Sequence, residues 1–141
     1  AWILSVQPDL EPRIDWGIAG SGIATDSTVP IELNHWHYLA ATVSYDAATN
    51  RSSARVYLDG ELTGSLLNNP DAGPPTEYNT GVAIGAANYD DDGNIKQRFR
   101  GVIDEVTVYD RPLSDEEIRH RYQNVFLRVL LDLQRDHEDD D

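Results

Sequence analysis

The chain has 141 residues, enough for one domain with a real core, and its 25 acidic against 11 basic residues give a formal net charge of −14. Such a surface is a poor partner for nucleic acid or an anionic membrane, and no run approaches the roughly 18 apolar residues of a membrane span. With no cysteine, disulfides and thiolate metal sites are excluded, which leaves the redox compartment open.

Short β-type runs alternate with turn signals along the chain, at the spacing of a sandwich. Residues 1–6 and 13–18 read as strands on either side of a connection holding Pro8 and Pro12, and residues 29–33 read as another. His35 and His37 straddle Trp36, so that on a strand both rings share one face, as a two-histidine metal site requires. No third ligand follows, and the other reading is a pair of polar strand-start residues beside a core tryptophan. Leu39, Ala41, Val43 and Tyr45 alternate on one face, residues 46–50 make a hairpin loop, and residues 53–58 return. Asp59-Gly60 is a type I′ signal that pairs this strand with residues 61–66.

Residues 68–79, rich in Pro, Asn, Asp and Gly, predict a long loop suited to surface contacts. Asn88-Tyr89-Asp90-Asp91-Asp92-Gly93-Asn94 matches the first half of an EF-hand loop, but its twelfth position is Phe99 rather than a bidentate Glu. Two readings stay open: a solvated hairpin loop, or a looser Ca²⁺ site drawing on Asn88, Asp90, Asp92 and Asn94. Tyr78 and Tyr89, carried on loops, are candidate sugar-stacking platforms, since an aromatic face packs on the C–H side of a pyranose. Trp2 and Trp16 could serve in the same way but fit core positions better.

Val102, Asp104, Val106 and Val108 alternate with Ile103, Glu105, Thr107 and Tyr109, the pattern of a strand with one face on a core. This reading turns Asp104 inward, where a carboxylate costs several kcal/mol unless it is hydrogen-bonded or bound to a cation. Arg111-Pro112 stops the strand. Ser114 is an N-cap, Glu117 closes a capping box, and Leu113 with Ile118 form a hydrophobic staple. Ile118, Tyr122, Val125, Phe126, Val129, Leu130 and Leu133 fall on one helical stripe, so the spacing predicts an amphipathic helix over 115–134. That stripe needs a surface to cover it: the chain's own sandwich, another domain or another chain. The end of the sequence is a solvated acidic tail.

The run G-V-I-D-E-V-T-V-Y-D-R-P-L-S-D-E-E-I resembles the closing strand and helix of laminin-G-like jelly-roll domains of the concanavalin A-like lectin/glucanase superfamily. His35-Trp36-His37-Tyr38-Leu39-Ala40-Ala41-Thr42, followed by Ala54-Arg55-Val56-Tyr57-Leu58-Asp59-Gly60, resembles that family's central hairpin, with Val82-Ala83-Ile84-Gly85 next in order. The resemblance implies an all-β fold, an antiparallel two-sheet jelly-roll sandwich over residues 1–122, followed by a C-terminal amphipathic helix extension and acidic tail over 123–141. It also implies a bound Ca²⁺ in some relatives, with Asp104 at the matching carboxylate position. Several strands of such domains, and the usual N-terminal metal partners, would precede Ala1. The sequence is then either the C-terminal part of a larger domain or a trimmed sandwich whose missing edge another chain supplies.

Catalysis has little support in the residues. A glycosidase of this superfamily needs two carboxylates facing one sugar at about 5–5.5 Å if it retains configuration, and no strand offers Glu-x-Asp-x-Glu. Asp104 and Glu105 are adjacent and point to opposite faces of a strand, while Asp9, Glu11 and Asp15 surround a proline-broken connection. The expectation is a non-catalytic recognition or adhesion module, extracellular, cell-surface or periplasmic. It would take a glycan or protein ligand through Tyr78, Tyr89 and Asn88, with Ca²⁺ as its cofactor. The alternative is a structural subunit docking onto another chain through the helix over 115–134; a hydrolase fragment is the least favoured reading.

Overall fold

Two antiparallel meanders carry the fold. In the computed structural model, residues 2–18, 21–71, 73–74, 82–86 and 98–138 are described. Strands β1 (Trp2–Val6), β2 (Pro12–Ile18) and β3 (Ser21–Asp26) form one sheet in that order, and β4 (Leu39–Asp46), β5 (Arg51–Leu58) and β6 (Glu61–Asn69) form the other. The sheets face each other through β2 and β5, whose alternating Ile14 and Trp16 meet Ala54 and Val56 in one buried cluster. Leu4 and Ile23 extend this core from the first sheet, and Ala41, Val43 and Leu66 from the second. Ile14, Trp16 and Val56 are all but fully buried, each contributing about 1.5–3 kcal/mol by leaving water.

Local chemistry sets the turns. Asp59 and Gly60 both have positive φ, 51° and 83°, the type I′ geometry expected of that dipeptide between β5 and β6. In the β4–β5 loop, Asp46 accepts the Ala48 N–H at 2.9 Å and the Thr49 hydroxyl at 2.8 Å, while Asn50 takes φ 54° and accepts the Tyr45 hydroxyl at 2.8 Å. β3 and β6 bring the sheets together at one edge. There the Thr28 N–H and hydroxyl both donate to the Thr63 carbonyl, at 2.9 and 3.0 Å. The backbones run so close that a Cβ at Gly64 would collide with the Asp26 carbonyl oxygen.

A third layer lies on the outer face of the second sheet. Register pairs Ala40 with Tyr57 on that face, and Leu113 and Ile118 bury themselves against Tyr57, Ala40 and Tyr38. Helix α1 (Asp115–Glu138) starts here as predicted. The Glu117 N–H donates to the Ser114 hydroxyl at 3.1 Å, the Ser114 N–H donates to the Glu117 carboxylate at 2.9 Å, and Leu113 with Ile118 form the staple. Tyr122 packs on Tyr38 with ring centroids 6.1 Å apart. Farther along, Phe126 is 51% exposed and Leu127 is also open, so among the described side chains it is those of the first turns of α1 that cover the sheet.

Three expectations are corrected. Residues 29–33 form no strand; they belong to an irregular loop tied back by the Ile31 N–H to the Leu10 carbonyl at 2.9 Å. Strand β3, short and glycine-containing, exists because β2 offers it a partner, a long-range fact that periodicity does not carry. Residues 102–109 alternate as a strand does, yet no described strand pairs with them, and all eight are exposed. Trp36 and Val106, both assigned inward by the alternation, are 64% and 54% exposed. Trp36 stands in the loop before β4 rather than on a strand.

Candidate recognition surface

Six of the predicted site residues, Tyr78, Asn88, Tyr89, Asp90, Asp92 and Asn94, lie outside the described residues. Asp104 is described, and it faces solvent instead of the core. Its carboxylate accepts the N–H of Glu105 at 2.8 Å, a local cap at a residue whose φ is 52°. Among the described residues no three His, Asp or Glu side chains gather as a metal centre.

His35 and His37 take different jobs. His35 Nδ1 lies 3.1 Å from the Leu33 carbonyl. The His37 Nδ1–H donates to Asp59 at 2.8 Å, and its Nε2 stands 3.0 Å from the Glu32 N–H and 3.2 Å from the Glu32 carbonyl. A neutral ring donating from Nδ1 can serve only the N–H. Asp59 also accepts the Tyr38 N–H at 2.9 Å and returns its own N–H to the Tyr38 carbonyl at 2.8 Å. One turn carboxylate therefore pins the loop that leads into β4, with Trp36 held outward on it.

The outer face of the second sheet carries a polar groove of about 290 Å³ beside the start of α1. Register places Thr42 opposite Arg55 and Ser44 opposite Ser53, on the face opposite Ala41, Val43, Ala54 and Val56. Small hydroxyl side chains keep the floor low, and residues 111–114 with Glu117 raise the wall. That wall is stiff. Arg111 grips Glu117 through two nitrogens at 2.7 and 2.9 Å, and this fork, aided by the Ser114 N–H, lowers the Glu117 carboxyl to about 2. The Tyr57 hydroxyl donates to Asp115 at 2.8 Å; burial, then that bond, pushes its pKa up to about 12.

Sequence reading did not find this groove, because it depends on which β4 residue faces which β5 residue. Only the alternation of small hydroxyl residues, Thr42, Ser44 and Ser53, hints at it.

A second exposed feature is apolar. Val102, Ile103, Val106 and Val108 lie open on the unpaired segment, which touches α1 through Arg121 stacked 4.5 Å above the Tyr109 ring and Arg128 at 3.9 Å from Glu105.

This sheet pair with its closing helix is the setting for a family match: the model described as concanavalin A-like lectin/glucanases superfamily, in its laminin G form, covers residues 1–119. The chain belongs to the concanavalin A-like lectin/glucanase superfamily. A laminin-G-like domain of this kind is also similar in fold to a crystal structure of an S-layer domain-containing protein from Clostridium thermocellum, residues 221–444. That match has a TM-score of 0.53 and 22% identity, covering 86% of this chain and 55% of that one. The laminin-G-like chain thus spans about half the length of that solved chain. No curated protein matches it. Among its described residues no helix is long and apolar enough to cross a membrane.

Proposed function

We propose that this laminin-G-like chain is a recognition or adhesion module of an extracellular or cell-surface protein that binds a glycan and does not cleave it. One observation carries the reading: the sandwich over residues 1–119 matches a superfamily that includes lectins, and the carboxylate lining its groove is tied to Arg111 and Ser114 as a helix cap. A glycosidase acid must be free to hold and give a proton near neutrality, which a carboxylate so tied does not do. The S-layer domain-containing protein of similar fold supports the surface setting. Tyr78, Tyr89 and Asn88 are assigned as rim contacts, and Asp90, Asp92, Asn94 and Asp104 as oxygen ligands for an assisting Ca²⁺. A glycan array probed with and without EDTA tests this. Binding that falls with EDTA and is lost in Tyr78→Ala or Tyr89→Ala supports the assignment; a blank array removes it.

A second reading has its own observation. Phe126 and Leu127 of α1, and Val102, Ile103, Val106 and Val108 on the segment that touches it, leave six large apolar side chains open to solvent. It favours docking of the sandwich unit, residues 1–122, and its helix extension onto another polypeptide. If so, truncation after Tyr122 abolishes assembly while the sandwich stays folded.

A further inference from the structure

We propose that the groove between β4, β5 and the start of α1 takes a carboxylate-bearing sugar residue, with Arg55 receiving the carboxylate. The inference rests on the glycan-recognition reading and adds a subsite that the rim loops do not contain.

Arg13, Arg51, Arg111, Arg119 and Arg128 all meet a carboxylate or a carbonyl. The Arg55 side chain, half-buried in the groove, makes no hydrogen bond or ion pair among the described residues; the Tyr57 hydroxyl is the one group that feels its charge. The acids at the start of α1 bond elsewhere and not to Arg55: Asp115 accepts from Tyr57, and Glu117 from Arg111 and Ser114. The Ser53 hydroxyl accepts the Asn68 N–H at 2.9 Å and keeps its own proton to give. On its sheet floor the groove therefore offers donors, namely a planar guanidinium fork flanked by the hydroxyls of Ser44 and Ser53.

A carboxylate is the acceptor that matches such a fork with two parallel bonds. The volume lies at the lower end of small-molecule sites, so the fit is to one ring and not to a run of them. Pro112 and Leu113 give the wall an apolar ledge for the C–H face of that ring. The charge of −14 repels a polyanion, which points to a glycan carrying isolated uronate residues. An acidic peptide side chain offers the same carboxylate without the ring.

The test is a titration of the ¹⁵N-labelled chain, followed by NMR, with D-glucuronate, D-glucose and N-acetyl-L-glutamate. Saturable shifts at Ser44, Ser53 and Arg55 are expected with glucuronate, and responses at least severalfold weaker with the other two. Arg55→Gln should weaken glucuronate about tenfold, the loss of one charge-assisted fork. Ser44→Glu, which hands Arg55 a carboxylate from the diagonal position, should block the site with Arg55 still present.

Equal binding of glucose, equal binding of N-acetylglutamate, or glucuronate binding untouched by Arg55→Gln would each overturn the proposal. Full array signal from Arg55→Gln on acidic glycans would sink the groove alone and leave the recognition reading standing. An array blank for the wild type would take down both.

Discussion

A methyl group at position 64 has nowhere to go, because the obstacle is the Asp26 backbone carbonyl at the edge where the two sheets meet. Gly64→Ala is therefore expected to cost about 1–3 kcal/mol or more, read as a lower urea midpoint. Asp59 makes a sharper comparison. Asp59→Ala removes the acceptor for the Tyr38 N–H and for His37 and leaves a residue with a Cβ at φ 51°, for about 1–3 kcal/mol. Asp59→Asn keeps an oxygen for the Tyr38 N–H and tolerates that φ, so its loss should be under about 1 kcal/mol; equal losses for both would show that the side-chain bonds do not matter.

At Glu117 the effect is on pH. The carboxyl is lowered in the folded chain from 4.5 to about 2, chiefly by Arg111. A depressed folded value means that the stabilisation is complete above the unfolded pKa and fades as pH falls from about 4.5 through 2. The difference in melting temperature between wild type and Glu117→Gln should shrink across that window, and a gap that widens on acidification would contradict it. The turn at Asp59-Gly60, the capping box and the staple were all legible in the sequence, since each is set by residues no more than five apart in the chain. Arg55's place opposite Thr42 was not, because register is a property of two strands.

At the scale of elements, α1 shows what periodicity can and cannot tell. The helix was correctly read, and its start fell where the cap placed it. Which part of the stripe would find a partner could not be read, because that depends on the width of the sheet beneath it. Tyr122 reaches Tyr38 and lies so near Gly60 that a Cβ there would stand 2.9 Å from its ring; Phe126, one turn on, is already half exposed. Ser114→Ala should accordingly cost about 1 kcal/mol through the lost cap, measurable by thermal unfolding, whereas Phe126→Ser should leave the melting temperature within a degree or two.

The segment 102–109 teaches the complementary lesson. Alternation marks a chain stretch able to be a strand, but a ladder needs a neighbour, and none of the six described strands lies beside it. Asp104 was read inward for the same reason and stands outward as a local cap.

At the scale of the whole molecule, the superfamily and the two-sheet architecture were legible because order and spacing of several motifs agree, and the family match over residues 1–119 bears this out. The candidate site was much less so. Most of the loop residues chosen from composition lie outside the described residues, and the groove emerges only once the second sheet acquires a helix on its outer face.

As proposed, this surface binds sugar and leaves the glycosidic bond intact. An oligosaccharide that scores on the array, held overnight with the chain at neutral pH and then weighed by mass spectrometry, tests that most directly. The same mass before and after is the predicted result, and the appearance of shorter, water-added products would contradict it.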